Sequence, residues 1–360
     1  MSRIYVNGRF LSQQTTGVQR FAREIISAID TLLVSEESAR KLSLVLLTPS
    51  GTEPIAGLHA IESRSVGRLQ GQAWEQLELP RYTRDGFSLN LCNTAPLAGR
   101  STIVAIHDAG VFAVPAAYSR PFRIWYRLLH ARLGRHAAYM LTVSDFSRRE
   151  LSRYLRVARE RFAVIPNGGE HIVREPPDQR ILQRLGLTGR YLLAVSSHSL
   201  HKNFAGIQAA VKHMRNQDFT LVLAGGANPR IFNAGQTSAG ESMVTGRVTD
   251  AELRALYENA ECFIYPSFYE GFGLPPLEAM TCGCPVVVSR SASLPEVCGD
   301  AAVYCDPNDP ADIGRALDEV LESAELRSEL RRRGKERAAQ FTWKRSGTAL
   351  VGLLDSLPTR

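Results

Sequence analysis

Short apolar runs alternate with amphipathic stretches along almost the whole chain. Runs at Ile4–Val6, Leu44–Leu47, Leu89–Leu91, Ile103–Ile106, Met140–Val143 and Phe162–Ile165 are followed by Tyr191–Val195, Thr220–Ala224, Met243–Thr245, Cys262–Tyr265, Pro285–Val288 and Ala302–Tyr304. Continuous, mostly branched apolar runs of this length predict strands buried on both faces, and the intervening stretches, such as Val18 to Leu33, carry a helical period. The alternation predicts an α/β fold with parallel sheets. A chain of 360 residues exceeds what one core usually fills, so two domains are expected. Pattern and turn residues break together at Ile165-Pro-Asn-Gly-Gly169 and in the polar stretch to Gln183, which divides the chain into 1–170 and 171–342. Ala324 to Leu357 reads as two helices, the second amphipathic around Trp343, Leu350, Leu353 and Leu354. Residues 343–360 are expected to pack back on the first domain.

Composition changes this picture little. No apolar stretch approaches the roughly 18 residues of a membrane span, and Met1-Ser-Arg-Ile-Tyr-Val leads into a strand, so a cytoplasmic protein is expected. Six cysteines without a C-x-x-C pair read as reduced structural thiols, with Cys282-Gly-Cys284 a minor metal-site alternative. Charge is more informative. Through Glu170 there are 22 Lys and Arg against 14 Asp and Glu, whereas the remainder has 21 against 22. Within the basic half, Pro121-Phe-Arg-Ile-Trp-Tyr-Arg-Leu-Leu-His-Ala-Arg-Leu133 is either a solvated helix face over a core stripe or a surface for anionic lipid or a phosphorylated acceptor. Nucleic acid is not an expected partner.

Ligands of doubly wound sheets bind beyond the C-terminal ends of the strands, so candidate chemistry is weighed by its distance from those ends. Two carboxylates stand eight residues apart in Glu270-Gly-Phe-Gly-Leu-Pro-Pro-Leu-Glu278, directly after the strand Cys262–Tyr265. Proline fits a first helical turn, so Glu270 is expected on a loop and Glu278 in the first turn of the next helix. The N–H groups of Gly271, Phe272, Gly273 and Leu274 would then surround a crevice suited to an anion bearing hydroxyls. Lys202 follows the strand Tyr191–Val195 and precedes a helix, as a diphosphate-binding cation would, although a surface lysine has the same signature. His198 could reach a ligand or shape its loop. Gly17 either lets backbone amides approach a phosphate or makes a plain turn. His107-Asp108 follows a strand, as a functional pair or as a packed histidine beside a capping aspartate. Val248 and Arg247 close another strand near a site for a base or ribose, or in a tight turn. Phosphate-loop, G-x-G-x-x-G, nucleophile-elbow and H-E-x-x-H motifs are missing, and with no Asp-x-Asp pair a metal-held diphosphate is not expected.

These residues resemble, over nearly the whole chain, the retaining nucleotide-sugar-dependent glycosyltransferases of family 4. The resemblance runs from Thr16-Gly-Val-Gln-Arg-Phe21 through His107-Asp108, Val143-Ser-Asp-Phe-Ser147, Val164-Ile-Pro-Asn-Gly168 and His201-Lys-Asn203 to the E-x7-E motif, matched by Glu270 and Glu278, and to Pro295-Glu-Val297. It implies the GT-B architecture, two facing Rossmann-like domains with a deep interdomain cleft, acceptor side first and donor side second. It implies that Glu270 contacts the donor sugar, that the amides from Gly271 to Leu274 bind its hydroxyls or phosphate, and that Glu278 holds the ribose. Lys202 would neutralise the diphosphate, Gly17 would approach the same group, and His107 would touch the sugar. Ser197, His198, Asn203 and Val248 would complete the donor contacts. One departure is that Ser197 and His198 stand where many members carry an arginine.

Val6-Asn-Gly-Arg-Phe-Leu11, Trp74-Glu-Gln-Leu-Glu-Leu-Pro80 and Asn90-Leu-Cys-Asn-Thr-Ala-Pro96 look like bacterial enzymes of O-antigen or exopolysaccharide synthesis, mannosyl- and rhamnosyltransferases among them. The resemblance thus implies a metal-independent hexosyltransferase using a GDP-sugar ahead of a UDP-sugar. It would act on a glycan or lipid-linked glycan, at most peripheral to the inner face of the cytoplasmic membrane. A UDP-sugar epimerase of the same architecture and a non-catalytic sugar-nucleotide binder are the alternatives.

Overall fold

The computed structural model describes residues 3–35, 42–99, 101–196, 200–215, 217–225 and 242–358. The chain divides into two compact units, one of Met1–Asn167 with Trp343–Arg360 and one of Gly168–Thr342.

The first unit is built on seven strands: β1 (Arg3–Asn7), β2 (Ser43–Thr48), β3 (Glu62–Ser65), β4 (Gly86–Asn90), β5 (Thr102–Ala105), β6 (Tyr139–Thr142) and β7 (Phe162–Val164). Their order is β3-β2-β1-β4-β5-β6-β7, all parallel, so the winding direction reverses between β1 and β4. The second unit holds β8 (Tyr191–Ser196), β9 (Thr220–Gly225), β10 (Ser242–Gly246), β11 (Cys262–Tyr265), β12 (Val286–Ser289) and β13 (Ala302–Cys305). Here the order is β10-β9-β8-β11-β12-β13, again parallel, and the reversal falls between β8 and β11. Each predicted apolar run corresponds to a strand. β3 was not predicted, because Glu-Ser-Arg-Ser is exposed at all four positions and pairs only through its backbone at the sheet edge.

Burial follows the pattern. Leu192, Ala194, Leu221, Leu223 and Ile264 point from β8, β9 and β11 into one cluster with Ile207, Ile313 and Leu317 from covering helices. In the first unit, Val104 and Met140 pack with Leu129 and Leu133 of the helix Arg120–His136. Arg120, Arg132 and Arg135 of that helix are exposed beside Ile124 and Leu128, whereas Arg127 is partly buried, its Nε donating to the Val111 carbonyl at 3.0 Å. No described helix is long and apolar enough to cross a membrane. The helix Trp343–Asp355 lies against Gly17–Ser35: Trp343, Leu350 and Leu354 are buried, and a Cβ placed at Gly347 would meet the Ala28 Cβ at 3.0 Å. All six cysteines are free thiols, five of them buried.

Candidate active site

In the second unit the reversal between β8 and β11 carries a group of mutually bonded polar side chains. β8 leads toward Lys202, and β11 ends at Tyr265 and leads into Ser267 and Glu270. The two connections are tied together, Phe268 N–H donating to the His201 carbonyl at 2.9 Å. Asn203 braces the arrangement from a left-handed backbone, φ 57°, which asparagine tolerates. Its Oδ1 accepts from Gly206 N–H to cap the helix Phe204–Val211, and its Nδ2 donates to the carbonyls of Pro266 (3.1 Å) and Pro307 (2.7 Å). The Asn203 side chain is therefore occupied by protein.

Lys202 Nζ donates to Glu270 Oε1 at 2.7 Å and to the Tyr265 hydroxyl, and lies 4.8 Å from the Tyr265 ring centre. The Lys202 and Glu270 side chains are only 15% and 12% exposed, so this ion pair is screened far less than a surface pair. Burial alone would raise the Glu270 carboxyl. The charges of Lys202 and His201 and the hydrogen bond from Lys202 outweigh it and hold the group below the usual carboxylate range. Tyr265, buried beside Glu270, is pushed well up and stays a neutral phenol. The Glu270 backbone is fixed as well, its carbonyl accepting from Ser293 Oγ at 2.9 Å.

The helix after Glu270 begins at Leu274, capped by Gly273 at φ 102°, a conformation that favours glycine. A side chain there would also strike Leu294, whose Cδ2 lies 2.6 Å from the built Cβ. Glu278 is thus the fifth helical residue, just past the first turn in which it was expected, because the helix starts one residue before its two prolines. Among the described residues, no hydrogen bond to protein uses the N–H groups of Phe272, Gly273 or Leu274. They follow Glu270 directly, as donors that a phosphate or hydroxyl can use. Glu278 is 8% exposed. Its Oε1 accepts from His171 Nε2 at 2.9 Å, and its Oε2 lies 3.3 Å from the Tyr257 hydroxyl. Val248 follows β10 in the loop before the helix Asp250–Asn259. Ser197 and His198 lie outside the described residues.

In the first unit the reversal between β1 and β4 is also polar and buried. Asn7 closing β1 donates to Asn90 Oδ1 closing β4 (2.9 Å) and to Glu75 Oε2 (2.8 Å). Arg9 Nε pairs with the same Glu75 oxygen at 2.8 Å, and Arg9 Nη2 donates to Thr94 Oγ1 at 2.7 Å. His107 follows β5. Its Nε2 donates to the Leu91 carbonyl at 2.9 Å and its own N–H donates to Asn93 Oδ1 at 2.8 Å. The carbonyl can only accept, so Nε2 carries the proton and Nδ1 offers a lone pair. Burial, partly offset by that bond, lowers His107 to about 4, so the ring is neutral at pH 7. His130 holds the same loop through Nε2 to the Asn93 carbonyl at 2.9 Å, and burial lowers it likewise to about 4. Gly17 opens the helix Gly17–Ser35, and a Cβ there would meet nothing within 4 Å.

Tyr265, Ser267, Ser293, Tyr257 and His171 join these groups without having been singled out in the sequence. Tyr265 ends a predicted strand, and the strand-end rule applied to it would have found it. His171 had no local signal.

Two family models match the chain: the one described as Glycosyl transferases group 1 over residues 178–337, and Glycosyltransferase Family 4 over residues 83–170. The O-antigen chain mannosyltransferase B of Escherichia coli is 32% identical over 304 residues, covering 81% of this chain and 78% of that protein. The O-antigen chain mannosyltransferase RfbU of Salmonella typhimurium is 28% identical over 227 residues, covering 60% of each. In architecture the chain is similar to Anabaena HepE, solved in complex with UDP-glucose, with a TM-score of 0.75 at 16% identity over 99% of this chain and all of that one.

Proposed function

From the premise that the chain belongs to the family 4 glycosyltransferases of GT-B fold, we propose that it transfers mannose, or else rhamnose, from a nucleotide diphosphate sugar to a growing glycan in bacterial polysaccharide synthesis. A GDP-linked donor is favoured over a UDP-linked one. The names of the two O-antigen relatives support mannose. The observation that carries the reading is the Lys202–Glu270 pair at the β8/β11 reversal, directly ahead of the N–H groups from Phe272 to Leu274.

As the bond from the anomeric carbon to the β-phosphate oxygen breaks, negative charge collects on the nucleoside diphosphate. Lys202 and the amide donors are placed to stabilise it. The anomeric carbon gains oxocarbenium character, the acceptor oxygen bonds to it on the face the phosphate leaves, and the acceptor proton departs with that phosphate. Retention then needs no protein nucleophile. Glu270, fixed by Lys202 and Ser293, orients the sugar through its hydroxyls. His107, neutral with Nδ1 as acceptor, receives a hydrogen bond from a substrate hydroxyl and donates none through that nitrogen. In this scheme no metal is needed at the diphosphate. Neither an epimerase nor a non-catalytic binder has an observation in its favour. A lipid-linked acceptor at an anionic surface has in its support the exposed basic face of the helix Arg120–His136.

One assay tests the proposal: transfer from GDP-mannose, GDP-rhamnose and their UDP counterparts to free and to vesicle-borne lipid-linked glycans, with and without EDTA. Lys202→Ala and Glu270→Ala should each lower kcat by about 100- to 1,000-fold. EDTA should change the rate little. Wild-type transfer by both variants would remove the site, abolition by EDTA would remove the metal-free scheme, and equal rates on both acceptors would remove the membrane.

A further inference from the structure

We infer that His171 is a positioning residue for nucleotide-sugar binding: it holds the Glu278 carboxylate in the one orientation that leaves it free to grip a ribose diol. The inference rests on the proposed nucleotide-sugar site and on Glu278 as its ribose-binding group.

His171 belongs to the short 3-10 helix Glu170–Val173, just after the start of the second unit at Gly168. It is 107 residues from Glu278 in sequence, yet its Nε2 lies 2.9 Å from Glu278 Oε1, with the His171 side chain 1% exposed. A carboxylate accepts only, so Nε2 bears a proton and donates. On the other side the Tyr257 hydroxyl lies 3.3 Å from Glu278 Oε2 and 3.3 Å from the Pro275 carbonyl. Burial raises that phenol far above its ordinary value, so it stays a donor. A carboxylate offers about four acceptor directions. His171 takes one of them on Oε1, and the single Tyr257 proton, shared with the Pro275 carbonyl, takes at most one on Oε2, which leaves at least two for ligand donors, the number a vicinal diol supplies.

Burying this carboxylate carries a desolvation cost that its hydrogen-bond donors must offset. A carboxylate this far from water needs donors for its oxygens, and a single weak one at 3.3 Å is poor compensation. Without the His171 donor, Glu278 turns either toward solvent or toward another protein donor. Both remove the accepting pair. A histidine serving only to fill space would make the same packing contacts without regard to the ligand's hydroxyls, which is where the two roles separate.

Binding of GDP or UDP, whichever the wild-type chain binds more tightly, is compared by calorimetry with binding of its 2′-deoxy and 3′-deoxy analogues. Wild-type protein should lose about tenfold in affinity for each missing hydroxyl. Glu278→Ala should flatten that penalty to near unity. His171→Phe, with thermal unfolding as the check on folding, should reduce it below threefold, and His171→Gln, whose amide nitrogen reaches the Nε2 position, should restore most of it. With saturating donor, kcat of His171→Gln should stay within a few-fold of wild type, and His171→Phe should raise the donor KM more than it lowers kcat. A folded His171→Phe that keeps the full penalty while Glu278→Ala loses it overturns the role of His171 alone. A full penalty in Glu278→Ala overturns the ribose reading and the inference with it. If His171→Phe does not fold, a His171→Gln that binds the parent nucleotide like wild type yet shows no penalty overturns the inference, and one that keeps the penalty supports it.

Discussion

His107 and His130 show how a single protonation state can organise a loop. Each donates from Nε2 to a carbonyl of the segment after β4, His107 to Leu91 and His130 to Asn93, and each is lowered to about 4 by burial. In the unfolded chain both titrate near the ordinary histidine value of about 6.5. The folded pKa is depressed, so the unfolded state binds more protons between these values. Stability is therefore complete above about pH 6.5 and falls as the pH drops toward 4. Between pH 7.5 and 5 the expected loss is about 2 kcal/mol per histidine. Urea unfolding at the two pH values measures the total. His130→Gln keeps a donor near the Asn93 carbonyl but cannot titrate, and should remove about half of the pH dependence assigned to the pair. If the variant and the wild type lose stability equally between pH 7.5 and 5, His130 is not buried in neutral form.

At the scale of elements, the brace formed by Asn203 decides whether the connection after β8 reaches its place. Its two Nδ2 bonds join the segments after β11 and β13, and its Oδ1 starts a helix, so one side chain sets three connections around Lys202. Asn203→Ala removes the cap and leaves two buried carbonyls with one donor fewer, at an expected cost of about 2–3 kcal/mol. Asn203→Gly should recover about 1 kcal/mol of that, because glycine adopts the left-handed backbone freely. Denaturant midpoints of the three proteins give the comparison, and an alanine variant as stable as wild type would refute the brace. Asn203 also marks where the sequence stops being legible. Strands could be read because a strand covered on both faces must be apolar for several residues, and for the same reason β3, with every side chain in water, could not. Lys202, Glu270 and His107 could be located because strand ends are local features. That Asn203 faces protein carbonyls, that Lys202 meets Tyr265, and that His171 meets Glu278 are long-range facts, created only when the sheet order brings distant connections together.

On the scale of the whole molecule, the chain leaves the first unit after Asn167 and returns to it at Trp343. The final helix is therefore part of the first unit's core although it follows the entire second unit in sequence. Trp343 is 3% exposed, its ring centre 6.1 Å from that of Phe21, and Ser346 Oγ donates to the Pro166 carbonyl at 2.7 Å. The second unit has its own sheet and its own buried cluster, which includes none of these residues. A lesion at Trp343 should accordingly weaken one unit and spare the other. Trp343→Ala in the full chain should cost about 3–5 kcal/mol of the first unit's stability, by lost apolar burial and a residual cavity. Hydrogen exchange resolved by mass spectrometry reads the two units separately, since amides open with the cooperative unit that holds them. Exchange should accelerate in the helix Gly17–Ser35 and in β1 and β4, while β8, β11 and β12 keep wild-type protection. Uniform acceleration across both sheets would mean that the units unfold as one, and unchanged protection in Gly17–Ser35 would mean that the returning helix contributes little to the core it covers.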